Sequence, residues 1–230
     1  MRDVIIACDF KDKETLFEFL NPFKEKGLNP YLKIGMEIFY KEGPSLVKEL
    51  KKMGFKIFLD LKLHDIPNTV EKAMANLSSL GVDIINVHSE GGIEMMKAAR
   101  KGLDSTLEGK NTKLIAVTIL TSISNEILKN ELLIDEDVDK VVKKYASNVK
   151  EAGLDGVVCS PLEAPIIKEM GLISVTPGIR FLDDAKGDQK RVTTPSKAKE
   201  LGSTFIVVGR SITASSDPVK SYERCVEEFC

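Results

Sequence analysis

The stretch FLDLKLHDIPNTV, residues 58–70, combines the pattern of a strand with the start of a helix. Its alternation places Phe58, Asp60 and Lys62 on one face and leucines on the other, which is the period of a β-strand. Proline is favoured in the first turn of a helix, so Pro67 predicts that a helix follows at once. The segment therefore predicts a strand that leads directly into a helix and carries two charged side chains on one face.

The same strand-to-helix unit recurs along the chain. Eight short runs rich in β-branched residues are predicted strands, and they read VIIACD, YLKIGME, KIFLDLK, DIINVHS, LIAVTIL, DGVVCS, LISVTP and TFIVVGR. Helical patterns lie between them; for example, Val70, Met74 and Leu77 recur at helical intervals before Gly81. Strands that alternate with helices pair in parallel, because each crossover returns the chain to the same end of the sheet.

Eight such units in 230 residues predict one α/β domain over residues 1–230, folded as a closed (β/α)8 TIM barrel. A doubly wound open sheet is the alternative. That fold usually has about five or six strands, and the GxGxxG motif that often follows its first strand is not found here.

Residues 177–195, PGIRFLDDAKGDQKRVTTP, form an unusually long predicted connection. The segment is polar, is punctuated by glycine and proline, and follows the seventh predicted strand. Loops of this length inside a compact domain are usually lids or binding loops, and a surface loop without a function is the alternative. We expect this segment to act as an active-site lid.

Composition and charge narrow the classes of function. The chain has 33 basic and 35 acidic residues and a net charge of −2, so a general affinity for nucleic acid or a membrane surface is not expected. No apolar run reaches the ~20 residues that span a bilayer, and the N-terminus is a poor signal peptide. The cysteines form no CxxC pair and no metal-ligand pattern, which predicts reduced thiols in a cytoplasmic protein without a metal site.

Charged residues recur at the predicted strand ends, where the active sites of such barrels lie. Asp9 ends the first strand, Lys33 lies in the second, and Asp60 and Lys62 lie in the third. A buried ion pair that only fixes the register is the alternative for Asp60 and Lys62, but such pairs stabilise a fold weakly. Asp65 could instead help to start the helix at Pro67. We expect the charges to converge at one rim and to carry chemistry.

A phosphate site is predicted after the eighth strand, where barrels often bind phosphate. Gly209 lets a backbone N–H approach an anion, and the Arg210 guanidinium can bind it through two hydrogen bonds. Gln189 and Arg180 belong to the long loop and its base. His88 ends the fourth strand, and we interpret it as a hydrogen-bonded histidine of the barrel rather than a catalytic base.

These motifs resemble the orotidine 5′-phosphate decarboxylase family. DLKLHDIPNT, residues 60–69, is similar to the family signature Asp-x-Lys-x-x-Asp-Ile-x-x-Thr, and the likeness extends along nearly the whole chain. Further matching motifs occur in order and read NVHSEGG, ILTS, TPGIR, GDQKRVTTP and VVGRSI. Leu63 and Ser89 stand where the family more often has an aromatic residue and an alanine, and both lie outside the charged set.

The resemblance implies decarboxylation of orotidine 5′-monophosphate to UMP and CO2 in pyrimidine biosynthesis, without a metal or another cofactor. Departure of CO2 leaves negative charge at C6 of the pyrimidine, so electrostatic stabilisation has to carry the reaction. Lys62 is the implied proton donor, and Asp60 is implied to hold Lys62 and to crowd the departing carboxylate. Lys33 and Asp65 are implied to complete an alternating charge network around Lys62.

The resemblance also implies a homodimer with active sites at its interface, because the residues that match Asp65 and Thr69 reach into the neighbouring subunit's site. The implied contacts to ribose and pyrimidine are Asp9, Lys33 and either Thr121 or Ser122, a choice that the sequence leaves open. The other implied substrate contacts lie around the phosphate and the base of the lid, at Pro177, Arg180, Gln189, Gly209 and Arg210.

Two other functions compete with this one. Magnesium-dependent sugar-phosphate decarboxylases and aldolases share the fold and the Asp-x-Lys-x-x-Asp pattern, but they resemble one another in an acidic metal ligand on strand two. Lys33 stands there in this chain, and its charge would repel Mg²⁺. A non-catalytic nucleotide-binding protein is the other alternative, although a binder has no use for a charge array that binding must desolvate.

Overall fold

The structure is a computed structural model that describes residues 2–184 and 193–230. Its strands pair in parallel in chain order and close into a barrel, in which the last strand pairs with the first. The strands are β1 (Asp3–Ala7), β2 (Tyr31–Gly35), β3 (Ile57–Leu63), β4 (Ile84–His88), β5 (Lys113–Val117), β6 (Gly156–Val158), β7 (Ile173–Thr176) and β8 (Phe205–Val208). All eight predicted strands and the (β/α)8 TIM barrel are confirmed.

Helices connect the strands and pack on the outside of the barrel. They are α1 (Lys13–Glu25), α2 (Met36–Glu42), α3 (Pro44–Lys52), α4 (Pro67–Ser78), α5 (Gly92–Leu103), α6 (Leu107–Lys110), α7 (Asn125–Asn130), α8 (Val138–Glu151), α9 (Ala164–Glu169), α10 (Pro195–Leu201), α11 (Arg210–Thr213) and α12 (Pro218–Phe229). Short 3-10 turns at Ser89–Gly91 and Pro161–Glu163 precede α5 and α9. Within the described residues, none of the helices has both the length and the apolar character needed to cross a membrane.

The strand side chains divide between two apolar layers. One layer fills the barrel and includes Phe58 and Ile84. The other lies between the strands and the helices and includes Leu59 and Leu61. The alternation predicted for residues 58–63 is therefore confirmed, because the leucines face the helices while Phe58, in phase with the charged residues of β3, faces the interior.

The joint between β3 and α4 follows the sequence pattern closely. Pro67 occupies the first turn of α4, and Ile66 at the cap position provides no side-chain hydrogen bond to the helix. The Asp65 carboxylate accepts a hydrogen bond of 2.6 Å from the backbone N–H of Ile66, and the residue is exposed. The Asp65 side chain therefore makes no capping hydrogen bond to the first turn of α4.

One strand pairing is irregular, and it lies at the charged end of β3. Between the pairs Leu59–Ile85 and Leu63–Val87, β3 advances four residues while β4 advances two. The extra residues are accommodated at Lys62, which has a left-handed backbone with φ of 53°. Non-glycine residues rarely adopt this conformation, and holding one there costs about 1–3 kcal/mol.

The ends of the long segment 177–195 are joined at their base, whereas residues 185–192 lie outside the described part of the chain. Thr193 donates its backbone N–H to Gly178 O at 3.0 Å, and its carbonyl accepts the N–H of Arg180 at 3.0 Å. Asp184 accepts hydrogen bonds from the Phe181 N–H and the Ser211 hydroxyl, so this end of the segment is bound to α11.

Candidate active site

Four charged side chains from three neighbouring strands form an alternating row at the C-terminal rim of the barrel. The Lys33 ammonium lies 2.8 Å from Asp9 Oδ1 and 3.4 Å from Asp60 Oδ2. The other oxygen of Asp60 accepts a hydrogen bond of 2.7 Å from the Lys62 ammonium. The row therefore runs Asp9, Lys33, Asp60, Lys62, and the predicted convergence of these charges is confirmed.

The middle of this row is the most buried part. The Lys33 and Asp60 side chains are each 11% exposed, whereas that of Lys62 is 25% exposed. Burial alone would raise the pKa of the Asp60 carboxyl, but Lys33 and Lys62, with hydrogen bonds from Lys62 and Asn86, outweigh it and lower that pKa. Burial likewise opposes the charge of Lys33, yet Asp60 and Asp9 raise its pKa. Both groups are therefore ionised at neutral pH.

Asn86 belongs to the same cluster and was not singled out from the sequence. It is fully buried in β4, and its amide nitrogen donates a hydrogen bond of 2.7 Å to Asp60 Oδ1. Its amide oxygen accepts the backbone N–H of Lys62 at 2.8 Å. The signal in the sequence was a polar residue flanked by Ile85 and Val87 and in phase with Ile84, which faces the interior.

Gly35 is a second residue that the sequence did not reveal as functional. It ends β2, and a Cβ atom at this position would lie 3.0 Å from Asp9 Oδ1 and 3.1 Å from Lys33 Nζ. Contacts this short are tighter than most Cβ contacts, so a larger residue would require Asp9 or Lys33 to shift by a few tenths of an ångström. Glycine here permits the approach of Asp9 and Lys33.

Two cavities meet at the charged row. One of about 170 Å³ is lined by Asp60, Lys62 and Thr121 together with apolar side chains of the barrel. The other, of about 380 Å³, is lined by Asp9 and by residues of the β7 and β8 ends. Lys33, Pro177 and Val207 line both cavities, so together they form a continuous site with an apolar part and a polar part.

The polar cavity contains all of the predicted phosphate residues that the structure describes. Arg180, Gly209 and Arg210 line it, whereas Gln189 lies outside the described residues. A Cβ atom on Gly209 would come 3.7 Å from the Ala7 Cβ, an ordinary contact, so the glycine is not required by crowding within the chain. The side chains lining this cavity include two guanidinium groups, which suits an anion.

The other predicted site residues are not part of the row of charges. Thr121 lines the apolar cavity, whereas Ser122 is exposed and lines neither of these two cavities. Asp65 and Thr69 are also exposed. Within the described residues, Asp65 takes no part in the row of charges.

His88 differs from expectation. The His88 ring lies 5.6 Å from the His64 ring, centroid to centroid. Its Nδ1 atom is buried and has no hydrogen-bond partner among the residues that the structure describes. Burial lowers the pKa of His88 below its ordinary value. The predicted hydrogen bonding of His88 is therefore not found at Nδ1 among the described residues, where the ring instead lies beside that of His64.

Candidate metal ligands do not gather anywhere in residues 2–184 and 193–230, where no group of three or more His, Cys, Asp or Glu side chains could hold an ion. At the rim, the space between Asp9 and Asp60 holds the Lys33 ammonium. The positive charge between these carboxylates is thus supplied by the chain itself.

Residues 2–225 match the profile of the Orotidine 5′-phosphate decarboxylase / HUMPS family. The chain is 50% identical over 233 residues to a Bacillus cereus (strain Q1) protein named orotidine 5′-phosphate decarboxylase, with 99% of this chain and 97% of that protein covered. A protein of the same name from Halalkalibacterium halodurans is 51% identical over 228 residues, with 97% and 96% covered. The crystal structure of orotidine 5′-phosphate decarboxylase from Lactobacillus acidophilus has a TM-score of 0.86 at 41% identity and covers 100% of this chain and 99% of its own.

Proposed function

Because this chain belongs to the Orotidine 5′-phosphate decarboxylase / HUMPS family, we propose that it converts orotidine 5′-monophosphate to UMP and CO2 in pyrimidine biosynthesis. The observation that carries the proposal is the alternating row of charges at the junction of an apolar and a polar cavity. The apolar cavity suits a pyrimidine ring, and the polar cavity suits a phosphate.

The reaction breaks the bond between C6 and the carboxylate carbon. The electron pair stays on C6, CO2 leaves, and a proton from the Lys62 ammonium forms the new C6–H bond. Before protonation, the same ammonium stabilises the charge on C6 in a partly buried setting, where electrostatic interactions are strong. Asp60 holds Lys62 by the 2.7 Å hydrogen bond and presents a carboxylate beside the departing one.

Binding is divided between the two cavities. Asp9 and Lys33 contact the ribose hydroxyls, and Thr121, rather than the exposed Ser122, contacts the pyrimidine beside Pro177. The phosphate is bound by Arg180, the Gly209 N–H and Arg210, which line the polar cavity, and by Gln189 of the long segment, which lies outside the described residues. The segment 177–195 is the lid of this single domain of residues 1–230, and Arg180 at its base links phosphate binding to closure.

The active unit is a homodimer in which Asp65 and Thr69 enter the partner's site. Both residues are exposed, Asp65 on the joint between β3 and α4 and Thr69 in the first turn of α4, so they are available to a second subunit. Exposed apolar side chains include Ile66, the neighbour of Asp65 in the sequence, at 66% and Tyr40 of α2 at 70%. Exposed apolar groups of this size favour burial in an interface.

The protein works in the cytoplasm. All four cysteines are free in the structure, and three of them are buried. Thiols that stay unpaired are typical of reducing compartments.

The test is to mix the purified protein with orotidine 5′-monophosphate and to follow the ultraviolet change as UMP forms, with and without EDTA. Equal turnover in both samples supports the proposal. Turnover that strictly requires added Mg²⁺ would favour the magnesium-dependent sugar-phosphate enzymes instead. Binding without turnover would indicate a non-catalytic nucleotide-binding protein.

A further inference from the structure

We infer that Asn86 is a positioning residue for Lys62. The side-chain amide of Asn86 holds the backbone of Lys62 in its left-handed conformation and also fixes the carboxylate of Asp60. The inference rests on the proposed function, since it assigns a role within that same site. Asn86 has no direct contact with the cavities that would hold the substrate, because it lines neither of them.

The irregular pairing of β3 with β4 explains why an amide is needed at this position. Between Leu59 and Leu63 the regular ladder is interrupted, and the Lys62 N–H donates its hydrogen bond to a side chain. The Asn86 oxygen accepts that N–H at 2.8 Å. A buried N–H without a partner is costly, so this bond offsets part of the strain at φ of 53°.

The other end of the same amide acts on Asp60. The Asn86 nitrogen donates to Asp60 Oδ1 at 2.7 Å, and this oxygen also accepts the Lys62 ammonium at 2.7 Å. One planar group thus fixes both the backbone of Lys62 and the carboxylate that orients the Lys62 ammonium. Only a side chain with a donor and an acceptor side by side can make both contacts, and asparagine provides them at this reach.

The surroundings of Asn86 indicate that these two contacts are the reason for a polar side chain at this position. The residue is fully buried, and its neighbours in phase along the barrel interior, such as Ile84 and Ile115, are apolar. The charged residues that face Asn86 from β3 are Asp60 and Lys62. Lys33 of β2 lies on the far side of Asp60, and His88 is the next residue of β4 in phase with Asn86. An apolar residue would pack there at least as well, so packing alone does not call for an amide.

The first test is Asn86→Leu, which keeps the approximate shape and removes both hydrogen bonds. We expect kcat for orotidine 5′-monophosphate to fall about 100-fold while KM changes little, because a displaced reacting group affects the chemical step more than binding. Asn148→Leu is the matched control, because the same exchange there lies on α8, outside the barrel. Retention of wild-type kcat by a folded Asn86→Leu protein would overturn the inference. An inactive wild type would instead overturn the proposed function.

The second test is Asn86→Asp, which tests the positioning role of Asn86 even if the Asn86→Leu protein does not fold. A protonated carboxyl can donate to Asp60 and accept from the Lys62 N–H as the amide does, whereas an ionised one repels Asp60. We expect kcat of this variant to be restored at low pH and to fall as the pH rises through the pKa of the new carboxyl, with circular dichroism at each pH to verify folding. A pH profile of kcat identical in shape to that of the wild type would overturn the inference.

Discussion

The ammonium of Lys62 lies 2.7 Å from Oδ1 of Asp60, and the backbone that carries this ammonium is held in a left-handed conformation with φ of 53°. A buried ion pair adds little to stability, and a strained backbone detracts from it. The combination is therefore poorly explained as a stabilising device. It is well explained as a reacting pair whose geometry the barrel enforces, which is the arrangement that electrostatic catalysis requires.

The Lys33 ammonium lies between two carboxylates, and we therefore expect the contributions of Lys33 and Asp60 to the free energy of unfolding to be strongly coupled. Lys33→Met leaves the buried Asp60 carboxylate with one ammonium fewer, and we expect a loss of about 3 kcal/mol in the free energy of unfolding. Asp60→Asn combined with Lys33→Met should cost less than the sum of the single changes, because the second substitution removes the uncompensated charge. Urea unfolding at pH 7 and fixed protein concentration measures all four free energies. Additive losses would contradict the coupling.

His88 predicts a pH dependence of stability. Its pKa lies below the ordinary value of 6.5, first because of burial, with Glu90 opposing and His64 and Lys62 reinforcing the shift. The unfolded chain then binds the proton more tightly, so this contribution is present above pH 6.5 and is lost as the pH falls through the folded-state pKa. We expect His88→Phe to lose less unfolding free energy than the wild type between about pH 8 and pH 5. Equal losses would show that His88 does not contribute.

The titration of Asp60 does not affect the comparison of His88→Phe with the wild type. The pKa of Asp60 is lowered from its ordinary 3.8, so its contribution is present above that pH and is lost only as the pH falls further. The window for Asp60 therefore lies below the window for His88.

Arg210 predicts a phosphate-dependent effect on catalysis. Arg210→Met removes a charge-assisted contact, and we expect kcat/KM for orotidine 5′-monophosphate to fall about 30-fold. This corresponds to a loss of about 2 kcal/mol in transition-state stabilisation. The control is orotidine, which lacks the phosphate, and its slower turnover should be the same in the variant and the wild type. An equal loss with both substrates would place the role of Arg210 elsewhere than at the phosphate.

The proposed homodimer predicts complementation between two inactive variants. Lys62→Ala and Asp65→Ala each inactivate both sites of their own dimer, but a mixed dimer contains one site with Lys62 from one chain and Asp65 from the other. After subunit exchange of an equimolar mixture, we expect about a quarter of wild-type activity, since half the dimers are mixed and each has one intact site. A mixture that stays as inactive as its components would contradict the shared site.

The eight recurring strand-to-helix units were sufficient to predict the barrel, and the alternation of residues 58–63 was sufficient to predict the inward direction of Asp60 and Lys62. This succeeded because the period of a strand fixes which side chains share a face. Strand ends were less predictable: LIAVTIL suggested a strand to residue 120, but β5 ends at Val117. There Thr118 turns its hydroxyl to the carbonyl of Val158, and the chain leaves the sheet.

Asn86 and the backbone of Lys62 could not be predicted from the sequence. The role of Asn86 depends on which β3 atoms lie opposite it, and that depends on an interrupted register between two strands. A positive φ is signalled in a sequence mainly by glycine, so a lysine gives no warning of it. The proposed role of Asp65 in a partner's site likewise involves a contact between subunits, which the pattern of a single chain does not define.

The turnover number of Lys62→Met tests the central claim most directly. Lys97→Met is the control, since Lys97 is an exposed lysine of α5 that pairs only with Glu94 among the described residues, and binding of UMP shows that each variant keeps an intact site. With orotidine 5′-monophosphate, we predict that Lys62→Met loses about 10⁴-fold or more in kcat while it still binds UMP, and that Lys97→Met matches the wild type. Wild-type turnover by Lys62→Met would contradict the assignment of Lys62 as the group that stabilises and protonates C6.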